Sequence, residues 1–335
     1  MSSPKNRLDH LAIIGLGSIG KRHLRLAREL RPELRITAVR SGKGQSALEE
    51  RLADAVVYSL EEALSLGVQA AVVASPAVCH LDEILVLFRD GVHALVEKPI
   101  SNNMDRIERV SEAQKEKNLV GLMGYCLRHD TAAQKFKEVL GGQSLGQLLH
   151  AHVECGSYLP EWRLEQDYRQ SVSAKKELGG GVLLELSHEL DYLRWFFGPV
   201  KSVMANLHTS GSLDVDVEES ADLIFRTTQG APVTVHLDFN SRTTRRGCIA
   251  QFSDGELAWN AVEKSVGWRP ASGKITRETF HRDLDEIYRR QLLHFFDCIE
   301  NNGRPTVSLE DGIEVLRMVE AAHESHVGGH MVVLP

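Results

Sequence analysis

A chain of 335 residues has room for two domains of ordinary size, and 42% hydrophobic with 25% charged residues is the balance of a soluble globular protein. The formal net charge of −7 argues against nucleic acid or an anionic membrane as partner, and no stretch approaches the roughly 18 apolar residues of a spanning helix. The five cysteines, Cys79, Cys126, Cys155, Cys248 and Cys298, are odd in number and scattered, which fits free thiols in a reducing compartment.

Lys5-Asn6-Arg7 followed by residues 11–20 has the outline of a signal peptide, but Asp9, His10, three glycines and Lys21-Arg22 interrupt it. It reads as a first strand and turn, and the expected location is cytoplasmic. From 11 to 125, short apolar runs alternate with helical patterns. The runs 11–14, 36–39, 55–57, 70–74, 92–96 and 119–123 are rich in alanine and valine without clear alternation, as in strands covered on both faces. Helices are expected over about 19–31, 45–53, 60–66, 78–90 and 103–117. This predicts an α/β fold, a doubly wound parallel sheet forming a dinucleotide-binding domain over 1–125.

Beyond Tyr125 the pattern changes. A helix over Thr131–Leu140 ends in Gly141-Gly142. Alternating strands follow over Leu148–Gly156, Val200–His208, Ala221–Thr227, Val233–Asn240 and Cys248–Phe252, with turn signals such as Gln229-Gly230 and Asp254-Gly255. The expectation is an α+β domain over 126–335, built on an open, mostly antiparallel sheet. Two helices close the chain. The first aligns Tyr288, Leu292, Phe295, Phe296 and Ile299 on one face, and the second opens with a capping pattern from Ser308 to Asp311.

Gly15-x-Gly17-x-x-Gly20 follows the first expected strand and opens the first helix. Glycine allows the tight turn, the close approach of backbone to a pyrophosphate, and strand–helix packing. The helix start at Ser18 and Ile19 offers free N–H groups to phosphates. The second strand ends Val39-Arg40-Ser41-Gly42-Lys43, with no acid between Ile36 and Leu48. NAD would favour a carboxylate there, whereas Arg40, Ser41 and Lys43 suit the 2′-phosphate of NADP, so NADP is expected over NAD. The other reading is a solvated loop whose charges bind nothing. Glu97-Lys98-Pro99 ends the run 92–96. Ligands of open α/β sheets lie beyond the carboxyl ends of the strands, so Lys98 can reach both cofactor and substrate. Proline lacks an N–H and stops the strand.

Gly179-Gly180-Gly181 leads into a helical pattern on which Glu185, His188 and Asp191, three apart, share a face. An acid beside a histidine can orient the ring and leave its other nitrogen free for proton transfer. His188-Glu189 begins a zinc-protease pattern, but Tyr192 stands where the second histidine belongs, so no metal site is read. Spacing alone leaves two readings open, catalysis and an exposed helical ion pair. Upstream, Tyr158, Trp162 and Tyr168 could stack on a sugar or base, and Arg163 could hold a carboxylate or phosphate. Loop packing or a subunit contact accounts for any one of them equally well.

Gly15–Gly20, Ala74-Ser75-Pro76 with His80 four residues on, Glu97-Lys98-Pro99, Gly124-Tyr125-x-x-Arg128 and the segment 179–191 occur in this order. As a set they closely resemble the glucose–fructose oxidoreductase/inositol dehydrogenase (Gfo/Idh/MocA) superfamily, over nearly the whole chain. The resemblance implies a Rossmann domain, a sheet-based second domain over 126–335 that binds substrate and often forms oligomers, and NAD(P)-linked interconversion of a secondary alcohol and a ketone on a sugar, nucleotide-sugar or cyclitol. It puts Lys98 and His188 in catalytic positions. Ser75, Pro76, His80 and Glu97 join the expected cofactor-binding residues, and Arg128 and Asp191 join the substrate side.

One departure stands out. The usual pattern has aspartate four residues before the histidine, where Leu184 stands here, and Glu185 lies three before. A subgroup similar to oxidoreductases of bacterial surface-sugar biosynthesis has an Asp-Leu-Ser-His-Glu form, which this chain matches with Glu185 at the acid position. In the oxidising direction His188 would remove the hydroxyl proton, Lys98 would hydrogen-bond the forming alkoxide, and Glu185 would orient His188. The alternatives are redox-assisted elimination or glycoside cleavage with tightly held NAD, and a non-enzymatic cofactor-binding sensor. A sugar-type small molecule and a homo-oligomer, dimer or tetramer, are the expected partners.

Overall fold

A computed structural model of the chain describes residues 7–42, 47–142, 145–281 and 283–335. Its first elements are β1 (His10–Ile14), α1 (Ser18–Leu30), β2 (Arg35–Val39), β3 (Ala55–Val57), α2 (Leu60–Ser65), β4 (Ala70–Val73), α3 (Ala77–Arg89), β5 (His93–Val96), α4 (Glu108–Lys117) and β6 (Gly121–Met123). There follow α5 (Thr131–Gly142), β7 (Leu148–Gly156), α6 (Val182–Glu185), α7 (His188–Phe197), β8 (Val200–His208), β9 (Ser220–Thr227), β10 (Pro232–Asp238) and β11 (Arg245–Phe252). The last are β12 (Gly255–Asn260), β13 (Ser265–Pro270), β14 (Thr276–Thr279), α8 (Leu284–Asn301), α9 (Leu309–Gly328) and β15 (Val332–Val333). They form two compact units, Met1–Cys126 with Asp283–Ile313, and Leu127–Arg282 with Glu314–Pro335.

In the first unit, six strands pair in the order β3-β2-β1-β4-β5-β6, all parallel. Every residue of β1 and β4 is buried, which is why those runs read as apolar without alternation. The strand order reverses between β1 and β4, and that reversal opens a crevice beyond their carboxyl ends. Two helix expectations shift. The pattern over 45–53 yields a 3₁₀ turn at Leu48–Leu52 (residues 45 and 46 lie outside the described residues), and α4 starts at Glu108 rather than 103.

The sequence reading gave residues 126–335 to one domain, but 283–313 pack with the first unit. The stripe of α8 explains this: Leu292, Phe295, Phe296 and Ile299 share one buried cluster with Leu11, Ile13, Leu24 and Ala27 of β1 and α1. An apolar helical stripe states that a face is buried, not which sheet it covers.

In the second unit, nine described strands form one sheet in the order β14-β13-β12-β11-β7-β10-β9-β8-β15. Neighbours are antiparallel except β7 and β10. Burial alternates along β8, β9 and β10, so one face is covered and the other open. On the covered face α5 packs on β12 and β13 and α7 on β7, where Tyr192 and Phe196 meet Trp259 at ring distances of 5.0 and 6.0 Å. Sequence reading missed β12 to β15. Glycine, proline or charged residues interrupt the short strands β12 to β14, and β15 has only two residues.

Candidate functional site

The first unit carries the phosphate-binding geometry. The turn from β1 to α1 lies against the loop after β4, where the strand order reverses. Gly15 takes φ +84°, and a Cβ there would sit 2.7 Å from the Ser75 backbone nitrogen. A Cβ on Gly20 would run into the Gly15 carbonyl oxygen. Gly17 differs from both, since nothing lies within 4 Å of where its Cβ would be. Two glycines thus draw the loops together, and the third leaves bare backbone beside the unsatisfied N–H groups that open α1. No side chain caps α1, and no acid stands in its first turn. Those N–H groups and that open space fit a pyrophosphate.

At the end of β2, Arg40 Nη1 lies 3.2 Å from Glu50 Oε1, and the Ala47 N–H donates to the same oxygen at 2.7 Å. The sequence window up to Leu48 contained no acid, and folding brings one in from the next turn. Ser41 follows Arg40 and is exposed; Lys43 lies outside the described residues. At the end of β4, the Ser75 hydroxyl donates to Glu83 at 2.5 Å, and burial pushes the Glu83 carboxyl up to about 7. Pro76 stands at the N-cap position of α3, with no side-chain capping bond.

Lys98 directly follows Glu97 at the end of β5 and is half-buried; its peptide bond to Pro99 is cis. Glu97 and His80, both expected among the cofactor-binding residues, are buried, at 6% and 1% exposure. The Glu97 carboxylate is turned inward, accepting from His23 Nε2–H at 2.7 Å and from the Lys98 N–H at 3.3 Å. The His80 ring bridges two carbonyls, with Nδ1 2.8 Å from Pro99 O and Nε2 2.8 Å from Ser75 O. Burial holds its pKa below the usual value against the opposite pull of those carbonyls. Sequence reading missed His23, and it quoted Gly124 in the family pattern without a role. His23 lies three residues past Gly20 on the buried face of α1, and a polar residue there was the available signal. A Cβ on Gly124 would come within 2.8 Å of Glu97 Cα and Oε2, so that glycine makes room for the carboxylate.

In the second unit, the single helix expected across Glu185, His188 and Asp191 is broken. α6 ends at Glu185, Leu186 and Ser187 form a kink, and His188 is the first residue of α7. Glu185 and His188 are both half-buried, and Ser173 Oγ donates to Glu185 Oε2 at 3.2 Å. Gly181 takes φ +108°, and a Cβ there would strike the Glu218 carboxylate, which accepts the Leu183 N–H at 3.2 Å. Burial raises the pKa of Glu218. The third glycine therefore seats the acid that holds the start of α6.

The expected substrate residues divide. Arg128 and Asp191 form a bidentate, buried pair at 3.0 and 2.6 Å, so the pair joins the turn before α5 to α7. Tyr158 stacks under the Arg242 guanidinium at 3.5 Å. Trp162 Nε1 donates to Ser157 Oγ at 2.8 Å, and its ring meets Phe239 edge-on at 5.4 Å. The Tyr168 hydroxyl donates to the Leu213 carbonyl at 2.9 Å. Trp162, Arg163 and Tyr168 line one small cavity with Ser171 and Ser173. Glu189, next to His188, is fully buried against Arg246 at 2.8 Å; burial raises its pKa and the guanidinium opposes the rise. Among the described residues no group of three or more His, Cys, Asp or Glu side chains is placed to hold a metal ion. No described helix is long and apolar enough to cross a membrane.

Two family models match. "Oxidoreductase family, NAD-binding Rossmann fold" covers residues 10–125 and "GFO/IDH/MocA C-terminal domain" covers 133–258. The chain is 25% identical over 281 residues to a 1,5-anhydro-D-fructose reductase of Ensifer adhaerens, spanning 81% of this chain and 78% of that one. It is 23% identical over 335 residues to a D-xylose 1-dehydrogenase (NADP(+)) of Haloferax volcanii, spanning 96% and 98%. Its fold matches that of a levoglucosan dehydrogenase solved with NADH and levoglucosan, at a TM-score of 0.87 and 19% identity over 97% and 99% of the two chains.

Proposed function

Because the chain belongs to the Gfo/Idh/MocA family of NAD(P)-binding oxidoreductases acting on sugars or cyclitols, we propose that it interconverts a secondary alcohol and a ketone on a sugar, nucleotide-sugar or cyclitol, with NADP preferred over NAD. One observation carries this reading: bare backbone at Gly17, at the start of α1, in the crevice where the strand order reverses. The N–H groups of the Gly15–Gly20 turn would hold the pyrophosphate, with Ser75 and Pro76 lining the neighbouring loop. A bound nicotinamide supplies the hydride chemistry.

The protein's own work is to position the substrate and move its proton. In the oxidising direction His188 would remove the hydroxyl proton, and Lys98 would hydrogen-bond the forming alkoxide. Glu185, itself steadied by Ser173, orients His188. Arg40 and Ser41 would take the 2′-phosphate, with Glu50 fixing the guanidinium. The NADP(+)-linked name of the Haloferax volcanii relative supports this preference. Arg40→Asp should then lower kcat/KM for NADP and shift preference toward NAD; an unaltered enzyme that already prefers NAD refutes it.

The names of the similar proteins suggest a test panel of D-xylose, 1,5-anhydro-D-fructose, levoglucosan and inositol. Absorbance of reduced nicotinamide, read with product analysis, decides. Net redox on one of these supports the proposal; product without net redox favours elimination or hydrolysis, and neither favours a sensor. The open sheet face, with Met204, Ile224 and Ile249 exposed, supports a homo-oligomer. A monomer in sedimentation at micromolar concentration would overturn that assembly.

A further inference from the structure

We propose that two buried histidines, His23 and His80, clamp the residues on either side of Lys98 and so set where its ammonium stands. This rests on the reading of Lys98 as the group that hydrogen-bonds the substrate oxygen. On one side is Glu97, whose Oε1 accepts from His23 Nε2–H at 2.7 Å and whose Oε2 accepts the Lys98 N–H at 3.3 Å. On the other is Pro99, whose carbonyl lies 2.8 Å from His80 Nδ1 while His80 Nε2 lies 2.8 Å from the Ser75 carbonyl. His23 comes from α1, the helix opened by the glycine turn, and His80 comes from α3, the helix after the Ser75 loop.

The same elements that frame the pyrophosphate crevice therefore also hold the lysine's backbone. His23 is fully buried and His80 nearly so, at 0% and 1% exposure, so neither imidazole is a ligand contact. His23 packs edge-on against Tyr288 of α8 at 5.5 Å, which fixes the ring plane, and its Nδ1 is buried with no hydrogen-bond partner among the described residues. A buried nitrogen without a partner calls for an explanation, and the bond from the other nitrogen to Glu97 supplies one. In either tautomer the His80 ring finds a carbonyl to donate to. His23, Glu97 and His80 are positioning residues, and they act through Lys98.

The test is a double-mutant cycle on the full chain with kcat, KM and the dissociation constant of NAD(P) measured for each variant. His23→Leu should lower kcat by about 10- to 100-fold, the penalty of a misplaced group, with cofactor affinity changed less than about 3-fold. His23→Gln, whose amide can still donate to Glu97, should recover most of the loss. In a Lys98→Ala background, His23→Leu should lower kcat by no more than about 3-fold, because the group it positions is gone. Should leucine prevent folding, Glu97→Gln makes the same comparison at constant volume. Full additivity with Lys98→Ala, a loss of cofactor affinity parallel to kcat, or a glutamine variant no better than leucine overturns the clamp. If instead Lys98→Ala alone keeps wild-type turnover, the reading of the lysine falls and the clamp with it.

Discussion

A lysine at the carboxyl end of a parallel strand can stabilise a developing oxyanion only if its backbone is fixed, and Lys98 sits between two anchored neighbours. If it donates to the substrate oxygen, Lys98→Ala should lower kcat by about two to four orders of magnitude with cofactor affinity changed far less; unchanged turnover would remove it from the chemistry. The acid before His188 is the second residue-scale question. Glutamate has one more methylene than the family's aspartate and stands one residue closer to the histidine. The kink at Leu186 and Ser187 separates the two, and Ser173 holds the Glu185 carboxylate. Glu185 should therefore support His188 rather than carry the proton. kcat against pH should show near-complete loss for His188→Ala, and for Glu185→Gln a partial loss with a displaced pH profile. Equal losses would mean an obligatory pair, and an unmoved Glu185→Gln profile would make the glutamate a bystander.

Elements show what local pattern can and cannot specify. β1, α1 and the glycine turn were legible because strand, turn and helix are contiguous and each glycine has a local reason. The pairing of α8 with the first unit was not, since Leu292, Phe295 and Phe296 encode burial without a destination. Arg128 and Asp191 were placed on the substrate side by the family resemblance, and only folding showed them paired with each other. Glu50 was missed because it lies just past the stretch read for an acid, and His23 because its partner Glu97 is remote in sequence. One strand carries a pH-dependent feature of its own. On β10, hydrogen bonds to Asp238 and to Asp222 push the His236 imidazole up to about 9. A histidine pKa raised on folding gives stability that is fully present below about 6.5, its unfolded value, and lost as pH rises through the folded value. Between about 6.5 and 9 the melting temperature should thus fall more for the unaltered chain than for His236→Gln. His236 is half-exposed, so the difference should be small and should shrink with salt. Parallel curves would mean that the histidine gains nothing from its two carboxylates.

For the whole molecule, the family match covers an NAD-binding Rossmann unit that presents bare backbone at Gly17, and the proposal gives Lys98 of that unit the hydrogen bond to the substrate oxygen and His188 of the second the proton. Net transfer of a carbon-bound hydrogen to nicotinamide is what this arrangement is proposed to accomplish, and it can be followed atom by atom. A sugar that the enzyme turns over, carrying deuterium on the carbinol carbon, would be incubated with oxidised cofactor in ordinary water. Mass spectrometry would then be read on the nicotinamide. The account predicts one deuterium in the accumulated reduced cofactor and a ketone product that has lost it. Deuterium released to water, or product formed while the cofactor stays oxidised, would contradict it.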